Sequence, residues 1–230
     1  ASTDVPVAKT YILCTDDEVI GTWFYIMEYL EGRVIWDSTG GSYSAFERAQ
    51  FWDAANDVLA RLHNVDYQEV GLSDFGKHGE YIARQISRWT SQYEYTRTDD
   101  NPYMENLIDY LPENIPAEDQ TACTIVHGDP KIDNMMMHPK KGEVIGIFDW
   151  ELSTIGHPLA DLGYFCIPYR YGLDKQNLDE LGIPSEEEFL DLYMSFSNRP
   201  SIPNWPLFLS FSFFRSAAII FGVAARTMLG

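Results

Sequence analysis

The feature that most restricts this chain is a hydrophobic period that changes three times. Apolar residues fall in strand-like blocks to about residue 35 and at three-and-four spacing to about residue 120. They return to strand-like blocks over 121–151, and then to helical spacing until the end. A helix-period pattern does not settle as a strand, nor the reverse. The expected fold is therefore α+β: a mostly helical body with strands at its start and a small sheet inserted midway.

Local signals sharpen this outline. VPVAKTYILC and TWFYIMEYL are β-rich runs separated by the acidic turn Thr15-Asp16-Asp17-Glu18 and closed by Glu31-Gly32. Ser44 and Glu47 form a capping-box pattern opening a helix whose Trp52, Ala55, Val58, Leu59 and Leu62 share a face. Ile82, Ile86, Trp89 and Tyr93 mark a second helix. Met104, Leu107, Ile108 and Leu111 mark a short third one, expected to stop at Pro112. TACTIV reads as a short buried strand, and MMMH and EVIGIF as a hairpin about the turn Pro139-Lys140-Lys141-Gly142. A second capping box, Ser185 to Glu188, precedes FLDLYMSF. In the apolar C-terminal stretch the longest charge-free run, Pro200–Phe214, has 15 residues. A bilayer span takes about 18 or more apolar residues, so a buried core helix is expected there.

Charge excludes whole classes of partner. Sixteen basic against 35 acidic side chains give a net charge of -19, and phosphate backbones are bound by clustered Lys and Arg. Neither nucleic acid nor an anionic membrane is an expected partner. An acidic exterior suits solubility or a cationic small molecule, and solubility is the simpler account. Cys14, Cys123 and Cys166 are odd in number and widely spaced, which fits the cytoplasm or another reducing compartment better than a disulfide framework. The start, ASTDVPVAKTY, has neither the basic end nor the apolar run of a signal peptide.

The chemistry lies in TIVHGDPKIDNMMMHPKKGEVIGIFDWELSTIGHPLAD, Thr124–Asp161. With Lys140 and Lys141 at the hairpin tip, Asn134 faces Phe148 and lies beside Asp149, since opposed antiparallel residues sit about 4.5–5.5 Å apart. Asp129, five residues before Asn134, leaves the buried strand toward the same end. Such a convergence of oxygen donors suits a hard divalent cation, most naturally Mg²⁺. In phosphoryl transfer one Asp deprotonates the acceptor hydroxyl, while an Asn and a second Asp hold Mg²⁺.

His127-Gly128-Asp129-Pro130-Lys131-Ile132-Asp133-Asn134, followed by Ile147-Phe148-Asp149-Trp150-Glu151, resembles the catalytic loop and metal-binding strand end of aminoglycoside phosphotransferase/choline-kinase-like enzymes. These are small-molecule relatives of protein kinases. The resemblance implies a protein-kinase-like fold, with Asp129 as catalytic base and Asn134 and Asp149 as Mg²⁺ ligands. It also implies Lys131 beside the transferring phosphoryl group and His127 ordering the loop. FYIMEYLEG resembles the family's adenine-binding strand and hinge, with Met27 as gatekeeper, the Glu28 carbonyl accepting from adenine and the Leu30 amide donating to it. VIGTWFYIMEYLEGRV, GKHGEYIARQISRW and DWELSTIGHPLADLGY most resemble the kinase-like domain found alone or fused to acyl-CoA dehydrogenases. His157 and Asp161 are read as structural, bracing the catalytic loop and a helix start. Glu151 stays open between backing the site and plain exposure, and Met135–Met137 read as hairpin core.

Parts of the kinase plan are not legible. Only 26 residues precede Met27, no Gly-rich loop is among them, and Lys9 is too close to the hinge to be the phosphate lysine. With no initiating Met, and with a helix running to the end, a fragment is expected. Residues 1–32 would be a remnant of the N-lobe sheet and hinge, and 33–230 a helical C-lobe with the catalytic hairpin. The implied function is ATP- and Mg²⁺-dependent phosphorylation of a small-molecule hydroxyl, such as that of a hydroxyacyl-CoA. The alternatives are an aminoglycoside-type antibiotic phosphotransferase and a non-catalytic nucleotide- or metabolite-binding module. Apolar surface left bare by missing N-lobe parts would favour a homodimer.

Overall fold

A computed structural model describes residues 3–37, 39–97, 99–173 and 177–229; the starting Ala1 lies outside them. The first two strands, β1 (Thr10–Cys14) and β2 (Phe24–Met27), form an antiparallel hairpin. Both are shorter than their apolar runs. Residues before β1 instead lie along the central hairpin, where the Pro6 carbonyl accepts from Ile147 N at 3.0 Å. A proline at that position could not itself donate to a ladder, so its free carbonyl is what docks. The next strand, β3 (Arg33–Val34), leaves this hairpin and pairs with β5 further along the chain.

The helical body begins with α1 (Ala45–His63), whose capping box is complete: Ser44 Oγ accepts from Glu47 N, and the Glu47 carboxylate accepts from Ser44 N. Then come α2 (Tyr81–Thr96) and α3 (Pro102–Glu113). Pro112 does not stop α3 but sits in its last turn, and the Asn114 amide closes the end on Leu111 O. Proline there forfeits a single hydrogen bond at an end where carbonyls are short of partners anyway.

Two small sheets follow. The first pairs β4 (Thr124–Val126) with β7 (Thr154–Gly156), and the second carries β5 (Met135–Met137) and β6 (Val144–Ile147) beside β3. Helices then resume as α4 (Pro158–Phe165), α5 (Leu178–Leu181), α6 (Glu186–Ser197) and α7 (Trp205–Leu229). Ser185 and Glu188 close the second capping box ahead of α6.

Aromatic packing joins the helices around the sheets. Trp52 of α1 meets Phe165 of α4 and Phe189 of α6 edge-on at 5.6 and 5.7 Å, and Phe165 stacks on Phe189 at 5.2 Å. The last helix, α7, packs against α2 and α4 and buries Phe208, Phe211, Phe214 and Ala218. Gly163 permits that approach, since a Cβ there would lie 2.8 Å from Phe208 O. Although Trp205–Thr227 is long and apolar enough to cross a bilayer, half of it is buried inside this fold. The β1–β2 hairpin, in contrast, exposes Leu13, Trp23, Tyr25 and Ile26.

This packing sets a stability contrast within one helix. Trp52→Ala, at 2% exposure, is expected to cost about 3–5 kcal/mol by urea unfolding. Phe46→Ala, at 72% exposure, should stay within about 0.5 kcal/mol. Equal losses would mean that the aromatic cluster is not the core.

Candidate active site

The polar loop after β4 is shaped by its backbone. Gly128 holds φ at +87°, and a Cβ there would collide with the carbonyl of Leu152, so only glycine fits. The amides of His127 and Gly128 both donate to the buried Asp161 carboxylate, at 2.6 and 3.0 Å. Behind Asp161 stands His63, with Nε2 3.4 Å from Oδ2 and Nδ1 2.7 Å from the Tyr193 hydroxyl. The loop is thereby tied to α4, to the end of α1 and to α6.

His127 points the other way. Its Nδ1 accepts from Asp129 N at 3.2 Å, which puts the ring proton on Nε2, and Nε2 donates to Phe148 O at 2.7 Å. One imidazole therefore spaces Asp129 from the residue preceding Asp149. The hairpin register brings the other predicted residues alongside: Met135 pairs with Ile147, and Phe148 N donates to Asn134 O at 2.9 Å. Asn134 thus faces Phe148 next to Asp149, as its spacing predicts. Asp149 itself turns the chain in a left-handed conformation at φ +64°.

Asp129 gathers donors. Lys131 Nζ lies 3.0 Å from Oδ2, while Asn134 Nδ2 donates to the Asp129 carbonyl at 2.9 Å and to Oδ2 at 3.3 Å. Burial works against the Lys131 charge, but Asp129 and then Asp133 outweigh it and hold the ammonium's pKa above its ordinary value. With Nδ2 committed to Asp129, Asn134 Oδ1 accepts no hydrogen bond among the described residues. That oxygen and the Asp149 carboxylate are the donor set a Mg²⁺ would use here. Among the described residues no three His, Cys, Asp or Glu side chains form a ready-made cage. Mg²⁺ typically takes one or two carboxylates and fills its remaining positions with water and phosphate oxygens, so the residues fit.

Two clefts flank this cluster. The larger, about 950 Å³, is lined by Met27, Ile147, Phe148, Asp149 and Glu151 together with residues from the start of the chain. Glu28 and Leu30 lie outside that lining, on the segment joining β2 to β3. The Glu28 amide is spent on Lys9 O at 2.8 Å, and the Leu30 side chain lies over Gly146 of β6. Lys9 places its ammonium over the Tyr11 ring. The smaller cleft, about 340 Å³, opens on the other side of the loop between Lys131, Tyr164, Trp36, Pro168, Ser216 and Ile219. Tyr164, whose pKa burial first and the Asp129 charge second hold above its ordinary value, lines this cleft beside Lys131 and escaped the sequence reading. The available signal was its position three residues after Asp161, on the same face of α4.

A model of the phosphotransferase enzyme family (APH) matches residues 1–192. The chain belongs to that family. It is 42% identical over its whole length to acyl-CoA dehydrogenase family member 10 of Mus musculus, covering 22% of that protein. It spans less than a third of the curated relatives it matches. A Ralstonia eutropha crystal structure, assigned as an aminoglycoside phosphotransferase, superposes with a TM-score of 0.94 at 45% identity, covering 99% of this chain and 71% of that one. The Streptomyces rimosus aminoglycoside phosphotransferase APH(3'')-Id, solved with ADP and streptomycin, shares the fold alone, at 14% identity and a TM-score of 0.64 over 92% of this chain and 76% of its own. The phosphotransferase (APH) fold is thus the protein-kinase-like one, with few strands and a helical majority.

His157 braces α4 as expected: its Nδ1 accepts from Leu159 N at 3.2 Å, and its ring packs on Phe208. Burial first, then Arg199 and His63, push its pKa down to about 3. Its 3.5 Å approach to Glu118 Oε1 is therefore not an ion pair near neutral pH. Between about pH 6.5, the ordinary value, and that depressed one, the unfolded chain binds a proton at this histidine that the folded chain refuses. Its contribution to stability is thus lost as pH falls through that window, by up to about 1.4 kcal/mol per pH unit. His157→Asn keeps a capping side chain and should flatten the fall of the urea midpoint between pH 7 and 5; an unchanged slope would refute the assignment.

Proposed function

We propose that this site transfers the γ-phosphoryl group of ATP to a hydroxyl of a small molecule, with Mg²⁺. The observation that carries the reading is the Asp129 carboxylate, held by Lys131 and Asn134 and spaced by His127 from the hairpin end where Asn134 faces Phe148, next to Asp149. In this reading Asp129 accepts the proton of the acceptor hydroxyl as that oxygen bonds to the γ-phosphorus. The bond from phosphorus to the bridging oxygen breaks, and ADP leaves. Lys131 faces the charge of the moving phosphoryl group. Asn134 Oδ1 and Asp149 hold Mg²⁺, which when bound neutralises phosphate charge. Met27 walls the larger cleft, and the Glu28 carbonyl and Leu30 amide are assigned to the adenine edge. No covalent enzyme intermediate is needed, because positioning and charge neutralisation supply the catalysis.

The smaller cleft bears on the acceptor. Its walls are mainly apolar, including Trp36, Trp52, Phe165, Ile219 and Ile220. Apolar walls favour an acceptor with a hydrocarbon body, such as a hydroxyacyl-CoA, over a polycationic aminoglycoside. The dehydrogenase names of the relatives point the same way, although they describe proteins of which this chain spans less than a third.

The test uses the full-length protein. Asp129→Asn is expected to lower kcat by about 10²–10⁴-fold, the usual worth of a general base, with little change in MgATP affinity. Asp149→Ala should instead raise the Mg²⁺ concentration needed for half-maximal nucleotide binding. Wild-type turnover in the Asp129 variant would overturn the reading. Tight MgATP binding by a wild-type protein that transfers phosphate to no acceptor, water included, would favour the non-catalytic module.

A further inference from the structure

The lining of the smaller cleft divides by exposure. Trp52 and Phe165 form an enclosed aromatic floor, whereas Trp36 and Ile220 on the rim are 81% and 67% exposed. Large apolar side chains left open around a concave apolar site mark surface that a ligand can cover. Only Lys131 and Asp133 bring charge to the lining, and at 3.9 Å they offset each other. Lys131 Nζ also lies 3.0 Å from Asp129 Oδ2, so a single side chain separates the cleft from the carboxylate assigned as base. One turn of α7 supplies a further wall through Ser216, Ile219 and Ile220, at the i, i+3 and i+4 positions that share a helix face. Ser216 is the smallest side chain on that face, and its size sets how much of the cleft stays open.

We propose that this cleft receives the hydrocarbon tail of a hydroxyacyl acceptor, and that Ser216 and Ile220 of α7 set how long a tail it accepts. The inference deepens the kinase reading above and rests on it. Volume decides which part of such an acceptor enters. The cleft of about 340 Å³ stands at the low end of ligand sites. At about 30 Å³ for a group the size of water, it holds a tail of about ten carbons. A coenzyme A moiety, with its nucleotide and phosphates, exceeds that space and stays outside. The tail covers Trp36 and Ile220 and meets the aromatic floor, while the hydroxyl stays at the Lys131 side, nearest Asp129.

The test measures ADP release by the full-length protein with hydroxyacyl-CoA thioesters that share one hydroxyl position and differ in tail length. Wild-type kcat/KM is expected to rise about fourfold per added methylene, the worth of one buried CH₂. The rise should level off once the tail reaches about ten carbons. Ser216→Phe fills part of the cleft and should lower the ratio of kcat/KM for long over short tails by about tenfold or more. A fault in folding or in catalysis lowers both alike and leaves that ratio in place. Ile220→Ala trims a rim residue that the fold does not bury, and should lower the same ratio by about fourfold. A kcat/KM independent of tail length, or a ratio that Ser216→Phe leaves at the wild-type value, overturns the proposal. So does phosphorylation of an aminoglycoside by a protein that accepts no hydroxyacyl-CoA. A ratio unmoved by Ile220→Ala alone removes Ile220 from it. If the wild-type protein releases no ADP with any acceptor, the kinase reading fails separately. The cleft is then read by fluorotryptophan NMR, with the Trp36 resonance identified by its loss in Trp36→Phe. That resonance should shift on adding the longest thioester, and less so in Ser216→Phe; an unmoved resonance overturns the tail site.

Discussion

The site depends on one buried carboxylate. Asp161 is fully enclosed in a chain that already carries a net charge of -19, yet it sits where the buried amides of His127 and Gly128 need an acceptor. Amide donors to a carboxylate are among the stronger hydrogen bonds, and without them an enclosed charge is expensive. The exchange works for both sides. The loop gains a fixed shape around left-handed Gly128, and the charge gains solvation that water cannot provide. His63 and Tyr193 extend the arrangement into α1 and α6, so the loop is braced by three helices distant in sequence.

That arrangement separates what the sequence announced from what it concealed. The hairpin register was legible at its open end, where Met135 pairs with Ile147 and Asn134 faces Phe148, whereas the irregularity between Met136 and Met137 that shifts the pairing nearer the tip was not. Both capping boxes were legible because they are local, needing only a Ser and a Glu three residues apart. The positions of Trp52, Leu59, Ile86 and Tyr93 on buried helix faces followed from spacing alone. The strand β7 was not legible. Ser153-Thr154-Ile155-Gly156 has no alternation to signal a strand and exists as one because β4, about thirty residues earlier, needs an antiparallel partner. Pro112 was misjudged for a related reason, since packing of Leu111 in the core holds the last turn of α3 that local chemistry would end. Arg215 lies about fifty residues after Tyr164, and nothing in either segment announces that their side chains meet.

The acidic composition also looks different once the positions are known. The exterior carries the excess of Asp and Glu, whereas the loop after β4 presents Lys131 between Asp129 and Asp133. Under the kinase reading the site must approach a polyanionic nucleotide, so negative residues at the loop would be offset locally by a lysine and by any bound divalent cation. Net charge describes solubility and encounter; the few charges at the loop describe chemistry.

His127 gives this local arrangement its rigidity. In-line transfer requires the group that takes the acceptor's proton and the group that holds the metal to keep a fixed separation. In the proposed function these are Asp129, on the loop after β4, and Asp149, past the end of β6. A hydrogen bond from Asp129 N to His127 Nδ1, and one from His127 Nε2 to Phe148 O, join them through a single flat ring. Trp150 packs against the same ring at 4.9 Å and anchors its own indole on Ile147 O. A histidine serves here because its two nitrogens lie on opposite sides of the ring and can take opposite hydrogen-bonding roles at once. An asparagine could also offer both roles, but from one end of a short chain, and it could not span from the loop to the hairpin.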